Sequence, residues 1–387
     1  MQWTHEHDEL RRTARRIVDE EINPNVDEWE EAGQFPAHHV MKLLGDAGLI
    51  GISRPTDYGG LDLDYSYEVA CAEEMGGIHA YGVSTAIGVQ TNMCIPALAK
   101  YGSDALREEW LAPTFAGDLV GCIGVSEVGS GSDVANVKSF ARRDGDDYVI
   151  NGQKMWISNG IQADWMCMLV NTGEENGPHR NKSLIVVPLT SDGITRHKLS
   201  KLGLHSSDTA QIFFDDVRVP ASNLIGEEGR GFIYQMEQFQ EERIFCAANC
   251  LKALDTCVSA TIDYTKQRQA YGKPLLNNQY MQYRLAELQT EIEALRALTY
   301  RATKMYINGN DVTNLASMAK LKAGRLSREV TDSCLQFWGG MGYVNESDIT
   351  RAHRDLRLIS IGGGADEVML GIISKLMGMT PGLQAKK

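Results

Sequence analysis

The hydrophobic pattern changes its period twice along the chain, and this change constrains the fold more than any other feature. Apolar residues recur at helical spacing over the first third, alternate in short segments over the next hundred residues, and return to helical spacing near Gly229. A chain of 387 residues exceeds the length at which one core usually divides. We therefore expect an α+β multidomain protein with an N-terminal helical domain (residues 1–120), a middle β-domain (121–226) and a C-terminal four-helix bundle (227–387).

Local signals predict where individual elements begin and end. Thr4 can cap a first helix that Pro24 stops, and Pro36 can begin a second helix that ends at Gly48 with a positive φ. The run Asp144–Asp147 is a hairpin turn signal between strands over 137–143 and 148–156. Further helices are predicted over 65–75, 83–101, 104–115, 232–267, 278–307, 314–338 and 365–377, and further strands over 165–170, 183–188 and 210–219.

Bulk composition limits the partners. The net charge of -13 disfavours unassisted binding to nucleic acid or to an anionic membrane, because both need a basic surface. No stretch approaches the ~18 apolar residues of a membrane-spanning helix, and the N-terminus lacks the pattern of a signal or transit peptide. We expect a cytoplasmic protein with neither nucleic-acid nor membrane partners, and a mature organellar form stays open.

The eight cysteines favour core packing over metal binding. They form no CxxC pair, and the three in the predicted helix 232–267 (Cys246, Cys250 and Cys257) have no histidine at ligand spacing. Free cysteines are usually buried, and they suggest a reducing compartment. We therefore expect no metal site.

Four segments carry a family resemblance. Gly129 and Gly131 in the first segment let the backbone approach a ligand, and neighbouring N–H groups can form an anion-binding concavity. Taken alone, such a loop is weak support for a site. The four segments are 124–133, 154–160, 268–273 with Gln279, and 336–343 with Glu346, Arg351 and Asp355. Together and in this order, they resemble the acyl-CoA dehydrogenase family over essentially the whole chain.

The resemblance implies a fold, a cofactor and a reaction. It implies the helical, β and helical domains of the acyl-CoA dehydrogenase fold, with FAD between the β-domain and the C-terminal helices. Each FAD would also touch a neighbouring subunit of a homotetramer built as a pair of dimers. The family removes an α-proton and transfers a β-hydrogen as hydride to flavin N5, which gives a trans-2-enoyl-CoA. An electron-transferring flavoprotein then accepts the electrons.

The resemblance also implies which residues bind the cofactor. Outside these motifs Trp156 would read as a core aromatic residue and Arg268 as a solvated one. Ser126 and Ser158 stand where the family often has threonine, and both keep the hydroxyl donor. The implied FAD-binding residues are Val125, Ser126, Gly131, Ser132, Trp156, Ser158, Arg268, Tyr271, Gln279, Gln336, Gly340, Ala365 and Glu367.

The chain departs from the family pattern at the catalytic carboxylate. Gly363 occupies the usual position of that carboxylate, and glycine cannot accept a proton. Glu242, immediately before Arg243, is similar to the base of members that carry it on the helix after the β-domain, such as those for isovaleryl-CoA and long-chain acyl-CoA. Burial there would raise its pKa toward working pH. The alternative is that Glu242 is an ordinary solvent-exposed residue of a helix, because three glutamates lie close together in this part of the sequence: Glu237, Glu241 and Glu242.

The remaining substrate contacts are also implied by resemblance. Arg243 would help to hold the CoA side of the ligand and Ser132 the pantetheine arm. A backbone N–H in the loop of Gly363 and Gly364 would donate to the thioester oxygen.

Three consecutive glycines and the small Ala247 and Ala248 suggest a wide cleft that suits a long or methyl-branched acyl chain. The run 361–370 is also similar to dehydrogenases of citronellyl-CoA. Two other functions stay open. One is a catalytically silent flavoprotein that binds acyl-CoA, which the loss of a carboxylate at 363 favours. The other is an oxidase that uses O₂; oxidases of this group are commonly longer, and we expect no extra C-terminal domain here.

Overall fold

The computed structural model describes residues 1–173 and 177–379, and it follows the expected order of helices, strands and helices. The N-terminal helices are α1 (His5–Ile17), α2 (Val26–Ala32), α3 (Ala37–Asp46), α4 (Tyr65–Met75), α5 (Tyr81–Gly88), α6 (Ile95–Tyr101), α7 (Asp104–Leu106) and α8 (Ala112–Phe115). Three π-helical segments join or follow them, at Val18–Ile22, Val89–Cys94 and Arg107–Leu111.

Local chemistry explains the ends of the first helices. The Thr4 backbone N–H donates to His7 Nδ1 over 3.3 Å at the start of α1. Pro24 lies in a short 3₁₀ turn that leads directly into α2, and Pro36 precedes α3. Gly48 follows α3 with φ +69°, as the sequence predicts.

The middle region is an eight-stranded sheet in which β1 pairs with β4 beside the path β6-β7-β3-β2-β4-β5-β8. The hairpin turn at Asp144–Asp147 is confirmed, although its first strand begins at Phe140 rather than at 137. The strands are β1 (Gly121–Gly124), β2 (Phe140–Asp144), β3 (Asp147–Ser158), β4 (Trp165–Asn171), β5 (Lys182–Pro188), β6 (Ile194–Lys198), β7 (Thr209–Pro220) and β8 (Leu224–Ile225).

The sheet shares a core with the N-terminal helices. Strands β4 and β5 are buried along almost their whole length, which explains their continuous apolar runs. Trp165 on β4 donates its indole N–H to Thr114 Oγ1 over 3.0 Å, so a helical side chain satisfies the buried donor. One hydrophobic cluster therefore joins helices and sheet.

The C-terminal region is a bundle of long helices. After α9 (Gly231–Gln267) and a two-stranded hairpin of β9 (Gln269–Ala270) and β10 (Lys273–Pro274) come α10 (Gln279–Ile307), α11 (Thr313–Trp338), α12 (Asp348–Leu356) and α13 (Asp366–Leu376). Helices α9, α10 and α11 pack on one another, and α13 packs on α11. The four-helix arrangement predicted from the sequence is thereby confirmed.

Helix α9 connects the bundle to the rest of the molecule. Its residues Leu251 and Leu254 lie in the bundle core, whereas Ile244 and Phe245 pack with Tyr65 of α4. One helix thus runs through two hydrophobic clusters. Side chains in the N-terminal third of α9 therefore lie between the N-terminal helices and the bundle.

Candidate active site

Glu242 lies on α9 and points into the protein interior. Only 7% of its surface is exposed, so the alternative of a solvated helical residue is excluded. Its Oε1 lies 3.0 Å from the point that a β-carbon on Gly363 would occupy. The structure therefore brings together the two positions that the sequence linked.

The glycine loop beside Glu242 has a backbone that side chains disfavour. Gly363 and Gly364 adopt φ values of +63° and +95°, in the left-handed region. The same β-carbon point lies 3.5 Å from Cys246 Sγ and 3.8 Å from Lys320 Cε. Lys320 Nζ donates to the Gly364 carbonyl. Glutamate, thiol and ammonium groups thus converge on one loop.

Burial sets the protonation of the site. It raises the pKa of Glu242 to about 7, and the positive charges of Arg243 and Lys320 oppose that rise. Burial also raises the pKa of the Cys246 thiol to about 12, so this thiol stays protonated at neutral pH. The carboxyl group can accept a proton near neutral pH, whereas the thiol cannot.

The missing side chain at Gly363 does not leave open space at that position, whereas the width of the acyl cleft stays a prediction. The carboxyl of Glu242 and the thiol of Cys246 fill the volume that a side chain at 363 would take. Ala247 and Ala248 do not enlarge a cleft either. Both are fully buried and pack into hydrophobic clusters of the bundle and of its contact with the N-terminal helices.

The buried Arg243 side chain makes few polar contacts with the part of the protein that the structure describes. Its Nη1 lies 3.5 Å from Ser317 Oγ, and its guanidinium lies 5.9 Å from the ring of Phe239. Its Nε has no hydrogen-bond acceptor within the described part of the chain. A buried donor of this kind fits a ligand that brings its own acceptor.

Glu241, which the sequence grouped with surface glutamates, is also buried. Its carboxylate pairs with Arg54 and accepts a hydrogen bond from the Tyr306 hydroxyl over 2.6 Å. The Tyr65 hydroxyl donates to its backbone carbonyl over 3.0 Å. The third of the crowded glutamates, Glu237, is exposed. The Arg54–Glu241 pair fixes the turn of α9 that presents Glu242, and no sequence motif pointed to Arg54.

The Gly/Ser loop, residues 125–133, follows β1 directly and begins beside α9. Ile123 of β1 packs in the cluster that contains Phe245 and Cys246. The buried Lys154 holds the start of the loop, because its Nζ donates to the Val125 carbonyl over 3.0 Å and to Glu127 Oε1 over 2.9 Å.

The loop tip is open. A β-carbon at Gly129 or Gly131 would meet nothing within 4 Å. Ser132 is exposed, Val125 is buried and Ser126 is half-buried. The Ser126 carbonyl accepts from the Met155 N–H over 2.9 Å, which ties the loop to β3.

Trp156 is an exposed aromatic residue in a bulge of β3. The register between β3 and β7 shifts between Lys154 and Ile157, and Trp156 takes a φ of +66° with 62% of its surface exposed. An ordinary core tryptophan would be buried. An exposed indole on strained backbone, next to an open Gly/Ser loop, fits a planar ligand such as a flavin ring. Ser158 lies two residues further on and is half-buried.

Five other implied FAD-binding residues lie far from Glu242 in the same chain. Arg268 follows 26 positions after Glu242, immediately past the end of α9, and at about 1.5 Å per residue roughly 39 Å separates them. Tyr264 stacks on Trp338 at 4.2 Å between ring centroids, which brings the ends of α9 and α11 together. All five of the implied residues toward this end of the bundle are exposed: Arg268, Tyr271, Gln279, Gln336 and Gly340.

The last two implied residues lie at the start of α13. Ala365 immediately precedes the helix and Glu367 is exposed on its first turn. Between them Asp366 is buried and pairs with Arg328 over 3.2 Å. This ion pair anchors the helix that follows the glycine loop.

Comparison with known proteins agrees with this geometry. Three models of the acyl-CoA dehydrogenase family match the chain: the N-terminal domain over residues 4–118, the middle domain over 122–217 and the C-terminal domain over 229–378. The chain belongs to the acyl-CoA dehydrogenase family. It is thus an FAD-dependent oxidoreductase that acts on acyl-CoA thioesters.

Relatives with different chain-length names are about equally similar. The chain is 35% identical to the long-chain specific acyl-CoA dehydrogenase of Sus scrofa, over 96% of this chain and 86% of that protein. It is 33% identical to the short-chain specific enzyme of Bos taurus, over 95% and 89%. A crystal structure of an acyl-CoA dehydrogenase from Geobacillus kaustophilus superposes with a TM-score of 0.93 at 37% identity, covering 97% of this chain and 98% of the other.

The described residues offer neither a metal-binding cluster nor a membrane-spanning helix. No cluster of three or more metal-ligating side chains occurs in residues 1–173 and 177–379. No helix in those ranges is long and apolar enough to cross a membrane. All eight cysteines are free, and seven of them are buried, as core packing predicts.

Proposed function

We propose that this protein oxidises an acyl-CoA thioester to its trans-2-enoyl-CoA with Glu242 as the general base. The observation that carries the proposal is the position of the Glu242 carboxyl, which fills the side-chain space at Gly363. A pKa near 7 suits this role, because a base for a weak carbon acid must be ionised at working pH yet still hold a proton. A silent flavoprotein would need no such carboxyl.

The surrounding residues would orient the thioester. Glu242 would take the α-proton, and a backbone N–H in the loop of Gly363 and Gly364 would donate to the thioester oxygen as negative charge develops there. Arg243, whose buried Nε has no acceptor among the described residues, and Ser132, exposed on the open loop, would hold the CoA arm. When bound, FAD supplies the acceptor for the β-hydrogen.

We assign the cofactor residues to two chains. Val125, Ser126, Gly131, Ser132, Trp156 and Ser158 would surround the flavin, with Ala365 and Glu367 near it. Arg268 lies past the far end of α9, roughly 39 Å from Glu242, and the other four lie toward the same end of the bundle: Tyr271, Gln279, Gln336 and Gly340. That distance exceeds an extended dinucleotide, so these residues would contact the FAD of a second copy. This supports an assembly of at least two copies, and we propose the homotetramer, a pair of dimers, that the family resemblance implies.

The proposed substrate is a long or methyl-branched acyl-CoA of the citronellyl type. Similarity to the long-chain enzyme supports length, although the short-chain relative is nearly as similar. The proposed electron acceptor is an electron-transferring flavoprotein, and the proposed location is the cytoplasm. Domain limits at 120/121 and 226/227 are supported by β1, which begins at Gly121, and by α9, which begins at Gly231.

Anaerobic titration of the purified holoenzyme tests the activity. Citronellyl-, isovaleryl-, octanoyl- and palmitoyl-CoA are added separately, and loss of the visible flavin absorbance is recorded. We expect bleaching, fastest with citronellyl- or palmitoyl-CoA. A preference for octanoyl-CoA would overturn the substrate proposal, and no bleaching with any thioester would overturn the activity. Hydrogen peroxide formed in air at the rate of substrate oxidation would indicate an oxidase instead.

A further inference from the structure

Lys320 is a fully buried lysine beside Glu242 that no motif assigns to the site. It lies in the middle of α11 with none of its surface exposed, between the buried Ala319 and Ala323. Its Nζ donates to the Gly364 carbonyl. Within the described ranges it forms no ion pair by direct contact. Burying an ammonium group is costly unless nearby groups compensate for the lost water.

The compensating groups belong to the glycine loop and to α9. The Cε of Lys320 and the Oε1 of Glu242 lie 3.8 Å and 3.0 Å from the same point, the β-carbon position of Gly363. The lysine side chain and the Glu242 carboxyl therefore lie against the same loop position, and the ammonium binds the carbonyl of the next residue. Burial lowers the pKa of Lys320 and raises that of Glu242, whereas the attraction between the two groups favours a positive charge on Lys320 and a negative charge on Glu242.

The other charged and titratable groups around this pair come from two helices. On α9, Arg243 opposes the lysine charge, whereas the Cys246 thiol is protonated at neutral pH and carries no charge. On α13, Asp366 favours the lysine charge, but Asp366 itself pairs with Arg328 and lies 4.0 Å from Arg325.

None of these groups contacts the Gly364 carbonyl in the described part of the chain. The hydrogen bond from α11 to the Gly364 carbonyl is therefore made by Lys320 and by none of these other groups.

We propose that Lys320 is a positioning residue for dehydrogenation: it holds the Gly363–Gly364 backbone in place and supplies positive charge beside the Glu242 carboxylate. This inference rests on the proposed role of Glu242. Two consecutive left-handed residues have few contacts of their own to fix them, and the lysine hydrogen bond fixes the second carbonyl. The orientation of the neighbouring N–H groups, which would face the thioester oxygen, follows from that bond.

The positive charge would act on both protonation states of the reaction. Before proton transfer it favours ionised Glu242. As the α-C–H bond breaks, the proton moves to the Glu242 carboxylate and the electron pair moves toward the thioester oxygen. The negative charge then lies on the substrate side of the glycine loop, and the ammonium still lies beside that loop. Removing the charge should therefore change the pH at which the base works as well as the rate.

Three substitutions and one matched control test the proposal in the holoenzyme. Lys320→Met removes charge and hydrogen bond, Lys320→Gln removes the charge but keeps a donor, and Lys320→Arg keeps the charge. Lys322→Met is the control, because Lys322 lies on the same helix but pairs with Glu291 at the surface. FAD content, thermal unfolding and the pH profile of anaerobic flavin reduction are measured for each.

We expect Lys322→Met to behave as wild type in the pH profile. Lys320→Met and Lys320→Gln should move the acidic limb to higher pH, since the Lys320 charge lowers the pKa of Glu242. Lys320→Arg should keep the limb near its wild-type position. If Lys320→Met does not fold, the Lys320→Gln profile decides.

A rate that falls equally at all pH values, with the limb unmoved in the Gln variant, would overturn this inference. That result would leave the role of Glu242 intact, provided that Glu242→Gln abolishes flavin reduction. Wild-type reduction in Glu242→Gln would instead overturn the proposed function, and the role of Lys320 with it. The two failures are thus distinguishable.

Discussion

The Glu242 carboxyl occupies the space that a side chain on Gly363 would need, with Oε1 3.0 Å from the absent β-carbon. A side chain with a carboxyl group can therefore occupy this space either from position 363 of the glycine loop or from α9. The space is too small for both side chains at once. Two carboxylates so close would also repel each other. The glycine at 363 follows from the position of the base on the helix.

Replacing Gly363 by alanine should damage the site. The new methyl group would stand 3.0 Å from Glu242 Oε1 on backbone with φ +63°. The left-handed conformation alone costs about 1–2 kcal/mol for an L-residue. We expect a loss of unfolding free energy of that size and slower flavin reduction, measured by denaturant melts and stopped flow. Gly371→Ala, which meets nothing within 4 Å, is the control and should lose neither.

The activity should depend on ionised Glu242. Because burial raises its pKa to about 7, the rate of flavin reduction should increase with pH, reach half its plateau near pH 7, and fall about tenfold per unit below that. The pH profile of single-turnover reduction in the holoenzyme measures this directly. A rate that stays constant between about pH 5 and about pH 8, on either side of that pKa, would contradict the assignment.

The same raised pKa predicts the effect of Glu242→Gln on stability. A carboxyl whose pKa is higher in the folded state than its ordinary 4.5 destabilises the fold when it is ionised. The glutamine variant should therefore gain roughly 3 kcal/mol above pH 7 and nothing below pH ~4.5, with a gradual change between. Denaturant unfolding at several pH values checks the sign. A loss of stability at high pH would show that the carboxylate is favourably paired instead.

Several of these features could be predicted from the sequence, and several could not. Long helices such as α9 and α11 were predicted to within one or two residues, because their apolar periodicity extends over many turns. Strand β6 was missed because Ile194–Lys198 is polar and half exposed, and helix α2 because it is short and acidic. The π-helical segments leave no pattern in the chain that spacing alone could reveal.

The candidate site divides in the same way. Glu242 was predicted because its motif and the missing carboxylate at 363 pointed to it. The burial of Glu241 was not, since its partners Arg54 and Tyr306 are distant in the sequence. Lys320 left one readable signal, a lone lysine on the apolar face of α11, but that face is recognised only after Ala319 and Ala323 are known to be buried.

Removing Arg54 should destabilise the turn of α9 that carries the base. Arg54 is 8% exposed and pairs with the buried Glu241 carboxylate. Arg54→Met leaves that charge without its partner, and such a loss typically costs about 3–5 kcal/mol. We expect a lower unfolding midpoint and slower flavin reduction. Arg218→Met removes exposed ion pairs with Asp144 and Asp147, and it should cost less than about 1 kcal/mol.

The most direct test of the central claim is anaerobic flavin reduction by Glu242→Gln. The variant keeps the shape of the side chain but cannot accept a proton as a carboxylate does. We expect it to retain FAD and to bind acyl-CoA, while flavin reduction in stopped flow slows by about 10²–10⁴-fold. Reduction at the wild-type rate, with FAD and acyl-CoA bound, would contradict the assignment of Glu242 as the base.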